Sequence, residues 1–179
     1  QIKPKGLKEI EFREIGLKEI LDTEETYCNT LRTMNDYFSP LFQEQKILNQ
    51  DDHQALFGPI PQMIETSVNF STQISKLQSY ASCVSPVFLK TLFSFKQTSL
   101  DYFVNYNLKI SPIITTLDEN PQIQKICDES PYNPGISFQS VVIQPIQRFP
   151  RYPLLLKELL KNTPESHPDF YFLPQVREK

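Results

Sequence analysis

The sequence predicts an all-α fold, and three observations carry that expectation. Apolar residues recur at steps of three and four along most of the chain. No run alternates apolar and polar residues over strand length between turn signals. Only 4 Gly stand against 15 Pro, too few for the positive-φ turns that β-hairpins and phosphate-binding loops need. At 179 residues the chain fits one domain with a substantial core.

From Ile20 the apolar residues Tyr27, Leu31, Met34, Phe38 and Leu41 hold one face, widened by Leu17, Leu21 and Cys28. A first helix is therefore expected from about Lys8 to the Ser39-Pro40 pair, where proline ends or kinks it. Asp51 or Asp52 should cap a short helix. Ile64, Val68, Ser71, Ile74 and Leu77 carry the period onward. Pro86 suits the first turn of another helix, whose stripe of Phe88, Leu92, Phe95, Ser99, Tyr102, Phe103 and Tyr106 reads as core packing rather than a base-stacking platform. A loop at Asp118–Pro121, a short helix and a turn at Pro131–Gly135 follow. The last long helix should run from Ile136 to Asn162, giving five or six helices, two or three of them long.

Composition excludes several classes of function. A net charge of −3 is wrong for a nucleic-acid binder or for a scaffold on an anionic bilayer. Cys28, Cys83 and Cys127 are odd in number and widely spaced, as expected for reduced thiols in the cytosol rather than a disulfide framework. Nothing is long and apolar enough to span a membrane, and the opening residues lack the apolar segment of a signal peptide. His53 and His167 belong to no metal-ligand pair, and no Walker loop or nucleophile elbow appears. No cofactor, metal site or covalent catalytic residue is expected.

Two features resist a bland reading. Glu24 falls inside the apolar arc of the first helix, so its carboxylate must pair with an Arg from another helix, sit on a wet rim, or await a partner; Glu25 points to solvent. The stretch "QPIQRFPRYPLLLKELLKN" (Gln144–Asn162) loads Pro145, Pro150 and Pro153 into an amphipathic helix, at ~3 kcal/mol for each interior proline.

"EILDTEETYCNTL" (Glu19–Leu31), "LFGPIPQMIE", "VFLKTLFSFKQTSLDYFVNYNLKISPIITTL" with its Tyr102, Tyr106 and Asn107, and "QPIQRFPRYPLLLKELLKNTPESHPDF" together resemble the Dbl homology (DH) domain of Rho-family guanine-nucleotide exchange factors. The likeness spans about Lys8 to Phe170, and the last motif is the most specific. It implies an elongated multi-helix bundle over residues 1–170 with residues 171–179 as a tail, the last helix being truncated or missing. It further implies catalysed GDP release from a Rho-family GTPase by remodelling switch I and switch II and excluding Mg²⁺. The resemblance places Glu24 against switch I, Gln147 and Arg151 beside the switch regions, and Ile143 where Rac-type substrates present a Trp, which leans toward a Rac-like partner. Gln144, Lys157 and Lys161 are further candidate contacts. Gln144 stands where the family usually has a basic residue, Pro59 replaces a common Asn, and "YFLPQVREK" lacks the Asn of the family's last helix. The pleckstrin-homology domain that usually follows is absent from this chain, and recruitment to membranes would fall to other domains. The alternative is a helical scaffold that binds a GTPase or another protein without catalysing exchange.

Overall fold

Eight helical stretches occur among the described residues of the structure, a computed structural model that describes residues 7–77, 79, 81–132 and 134–177. No strand occurs among them, as expected. Residues 1–6, Asn133 of the expected turn and residues 178–179 of the expected tail lie outside the described residues.

The first stretch contains α1 (Leu7–Arg32), a π-helical segment at Thr33–Phe38 and α2 (Ser39–Glu44). Ser39-Pro40 therefore does not break the helix. Proline cannot donate to the carbonyl four residues back and its ring collides with it. The turn before it widens instead, and the Ser39 N–H donates to the Met34 carbonyl, five residues back. The same device recurs before Ser111-Pro112. There α5 (Ser85–Asn105) passes through the π segment Tyr106–Ile110 into α6 (Ser111–Asp118), and the Ser111 N–H donates to the Tyr106 carbonyl. Two Ser-Pro pairs are thus carried inside long helical stretches without ending them.

Between these stretches lie α3 (Gln50–Phe57) and α4 (Ile60–Ser75). The cap of α3 is Asn49, whose side chain accepts from the Asp52 N–H at 2.9 Å, in place of the expected Asp51 or Asp52. The buried stripe of α4 is Ile60, Met63, Ser67, Phe70 and Ile74; of the residues read from sequence, Ile74 is buried, Ile64 and Leu77 pack partly against the core, and Val68 is exposed. Asn120 caps α7 (Pro121–Asp128). The expected last long helix is two: α8 (Phe138–Val142) and α9 (Gln144–Lys161) meet at Ile143. Proline in α9's first turn needs no N–H, so Pro145 starts the helix and only Pro150 and Pro153 lie inside it.

Residues 171–177 are not a tail. They belong to α10 (Pro168–Arg177), which runs through Pro174, and Leu173 lies in the core. The buried His167 caps α10, its Nδ1 accepting from the Asp169 N–H at 3.1 Å.

Helices α1, α4, α5 and α9 pack in a ring, each on the next and α9 back on α1. Their inner faces contribute Leu17, Ile20, Leu31, Phe70, Phe88, Phe95 and Leu156 to one continuous core. A second aromatic cluster forms where the α1 stretch meets α3 and α8, with Phe42 4.8 Å from Phe138 and 5.6 Å from Phe57, centroid to centroid. A buried ion pair locks the end of the ring: Arg13 of α1 binds Asp169 at 2.5 Å and Thr163 Oγ1 at 2.6 Å. Asp169 also accepts the Val84 and Ser85 N–H groups at the start of α5, each at 3.0 Å.

Candidate functional site

The α1/α9 seam is fixed by a few close contacts. A Cβ on Gly16 would lie 3.3 Å from Leu159 Cδ1, so α1 approaches α9 closely there. Eight residues on, Glu24 reaches Arg148 and Tyr152. Rising numbers on α1 meet falling numbers on α9, so the two helices run antiparallel.

Glu24 is sealed in this seam with no exposed surface. It accepts from Ser67 Oγ of α4 at 2.6 Å, Tyr152 Oη at 2.8 Å, Arg148 Nε at 3.1 Å and Arg148 Nη2 at 2.5 Å. The expectation that its carboxylate meets a GTPase is therefore corrected: every acceptor direction is turned inward, and of the readings open to it the inter-helix ion pair is realised. Arg148, 3% exposed, is its partner. Burial disfavours the guanidinium charge, but Tyr152 and Glu24 outweigh that and raise its pKa. Burial, with Glu24 adding to it, also pushes the Tyr27 and Tyr152 phenols up. Arg148 Nη1 has no hydrogen-bond partner. The guanidinium instead sits 4.6 Å from the Tyr152 ring centre and 5.7 Å from that of Tyr27, where π faces stand in for acceptors.

The surface above this network is built by the outer flanks of the two helices. Glu24 and Ser67 mark the flank of α1 that faces α4. The opposite flank carries Glu19, Thr23, Thr26 and Thr30, at steps of four, three and four, all exposed or half-buried. On α9, Phe149 packs edge-on against Phe103 of α5 at 5.9 Å. The flank away from α5 carries Gln144, Gln147, Arg151 and Leu155, also exposed or half-buried. In a ring of helices the flank of α1 away from α4 and the flank of α9 away from α5 adjoin across their shared seam. They form one ledge, with Arg151 level with Thr23 and Glu19 about one turn further along.

Of the candidate contacts, Arg151 and Gln147 are exposed on this ledge, Gln144 is half-buried on it, and Ile143 is partly exposed at the α8–α9 joint. Lys157 and Lys161 follow Leu154 at steps of three and four and so lie on the back of α9. There Lys161 pairs with Glu158 at 2.6 Å, with both side chains more than half exposed. Glu19, which the sequence reading did not single out, is exposed on the ledge's flank of α1. It is the acid that this flank of α1 brings beside α9. The signal in the sequence is weak: Glu19 lies outside the apolar arc, where a carboxylate needs no buried partner, whereas Glu24 lies inside it.

No cluster of His, Cys, Asp and Glu that could hold a metal occurs among the described residues. None of their helices is long and apolar enough to cross a membrane. The named residues of the ledge are hydrogen-bonding groups with one cation, Arg151, and one anion, Glu19, besides the apolar Leu155. The sequence matches the RhoGEF domain family over residues 17–179. The chain belongs to the RhoGEF family. It is 32% identical over 166 residues to Rac guanine nucleotide exchange factor JJ of Dictyostelium discoideum, covering 87% of this chain and 14% of that protein. It is 32% identical over 171 residues to human dynamin-binding protein, covering 89% and 10%. The chain thus spans a small part of these relatives. Its fold matches the DH/PH fragment of PDZ-RhoGEF in complex with human RhoA (TM-score 0.80, 19% identity, 97% of this chain and 52% of that one) and the DH domain of FARP2 (0.75, 17%, 98% and 86%). The RhoGEF assignment agrees with the resemblance read from the "QPIQRFPRYPLLL" segment, and the fold with the expected helical bundle.

Proposed function

We propose that this domain accelerates GDP release from a Rho-family GTPase bound across the α1/α9 ledge. The observation that carries the reading is the ledge itself: in a chain of the RhoGEF family, Arg151, Gln147 and Glu19 stand exposed on one surface above a rigid seam. No bond is made or broken on the factor. A GTPase that holds its nucleotide at picomolar affinity does so with ~16 kcal/mol. A protein that binds the nucleotide-free form more tightly than the loaded form weakens nucleotide binding by the same factor. Arg151 and Gln147 supply donors for one switch region. Glu19 supplies the carboxylate that the resemblance assigned to the first helix, in place of the sealed Glu24. Together they hold the switches in a shape that excludes the GTPase's own Mg²⁺, and abundant GTP then displaces the factor.

Ile143, partly exposed where α8 meets α9, supports a Rac-like substrate, since an apolar side chain there suits the Trp of Rac-type surfaces. The Dictyostelium relative is named as a Rac exchange factor, while the PDZ-RhoGEF structure contains RhoA. Release of a fluorescent GDP analogue from a panel of Rho-family GTPases tests both points. Acceleration with at least one member, greatest for Rac-type proteins, is expected. Binding to a GTPase without acceleration would favour the scaffold reading.

A further inference from the structure

We infer that Glu24, Arg148 and Tyr152 are positioning residues for exchange, setting the rotation and register of α9 so that Arg151 and Gln147 stand correctly for the GTPase. The inference rests on the exchange reading above. It follows from where the prolines fall. Pro150 and Pro153 lack an N–H, so the carbonyls of Ile146 and Phe149 lose their helical donors. The turn that carries Arg151 is therefore the one least fixed by its own backbone. Pro150 itself is exposed, so no packing against its ring holds the turn in place of the missing bond. Arg148 and Tyr152 bracket Pro150 in sequence, and both are anchored to the same Oε2 of Glu24. Glu24 is in turn tied to α4 through Ser67. Apolar contacts such as Gly16 on Leu159 hold the helices together but are non-directional. Charge-assisted bonds have directions, and a two-pronged Arg contact with a Tyr one turn later fixes both the height and the rotation of the helix. Gln147 adjoins Arg148 and Arg151 adjoins Tyr152, so a turn of α9 moves anchors and contact residues together. The two interior prolines and the buried acid are then one device: Pro150 and Pro153 remove backbone bonds from the segment, and the side-chain network decides where it points.

The test separates positioning from mere support. Tyr152→Phe removes one hydrogen bond and keeps the ring. Helical circular dichroism should stay unchanged, the maximal rate of nucleotide release should fall about tenfold, and the half-saturating GTPase concentration should move less than about twofold, as expected for a displaced contact group. Replacing both ionic partners, Glu24→Gln with Arg148→Met, should regain the thermal stability lost in Glu24→Gln alone while leaving release slow. Wild-type release in Tyr152→Phe, or release that returns together with stability in the double variant, would overturn the inference and leave the exchange reading intact. A wild-type chain that accelerates no Rho-family GTPase would remove the exchange reading and this inference with it.

Discussion

Replacing Glu24 by alanine should damage the fold before it touches any partner. The carboxylate has no exposed surface, and Arg148 beside it is 3% exposed. Its loss leaves a buried guanidinium without its counter-charge and removes acceptors from Ser67 Oγ and Tyr152 Oη. Breaking one side of a buried pair costs ~3–5 kcal/mol. For a domain of this size each kcal/mol moves the thermal midpoint by roughly 2–4 °C, so the midpoint should fall by about 6–20 °C. Glu19→Ala is the control, an exposed position expected to change stability by less than ~0.5 kcal/mol. Urea titration of both variants, followed by circular dichroism, measures the difference. A Glu24→Ala variant within ~1 kcal/mol of wild type would refute the reasoning and return Glu24 to the surface role expected from sequence.

Other outcomes follow from the same geometry. Arg151→Ala should keep wild-type stability yet slow nucleotide release about 10- to 150-fold, the equivalent of one charge-assisted hydrogen bond of ~1.5–3 kcal/mol. Lys46 sits at φ 51 after α2, where Ile47 N–H bonds the Phe42 carbonyl and Lys46 N–H that of Gln43. This is a position where glycine avoids a left-handed penalty, so Lys46→Gly should stabilise by ~1 kcal/mol in urea titration. Gly16→Val should destabilise by ~1–3 kcal/mol, because α1 and α9 have no room for a branched side chain at Leu159. Burial pushes the Asp169 carboxyl up, but bonds from Cys83, Ser85 and Val84 outweigh it and hold the carboxyl below its ordinary value. A depressed folded pKa gives stability that is present above the unfolded value and lost as pH falls through the folded one. Stability should therefore decline below about pH 4, and that acid limb should flatten in Asp169→Asn when midpoints are followed against pH.

The fold class and most helices were legible because burial imposes the 3.6-residue period. The stripe from Ile20 to Phe38 is buried as read, and so are Phe88, Phe95 and Tyr102. Of the α4 stripe, Ile74 is buried as read and Ile64 packs partly against the core, but Val68 is exposed, whereas Ser67, the partner of Glu24, is polar and buried. Pattern alone cannot tell an apolar residue on a rim from a polar one in a core network. The Ser39-Pro40 pair reads as an end or kink of the first helix because a proline normally costs a bond; the helix instead widens into a π turn and continues. For the site, Arg151 and Gln147 are exposed on the flank of α9 away from α5, while Lys157 and Lys161 are exposed on its back. Glu24 misled because an acid among apolar neighbours is equally what a partner site and a buried ion pair require. Deciding between them needed Arg148, 124 residues away in the chain.

The central claim is that one exposed ledge of α1 and α9 drives nucleotide release. Fluorescent-GDP release measured side by side for wild type, Glu19→Ala and Arg151→Ala, with stability followed in parallel, addresses it most directly. Faster release by wild type with at least one Rho-family GTPase, and slow release by both variants at unchanged stability, is the predicted result. Full exchange activity in both folded variants would contradict it.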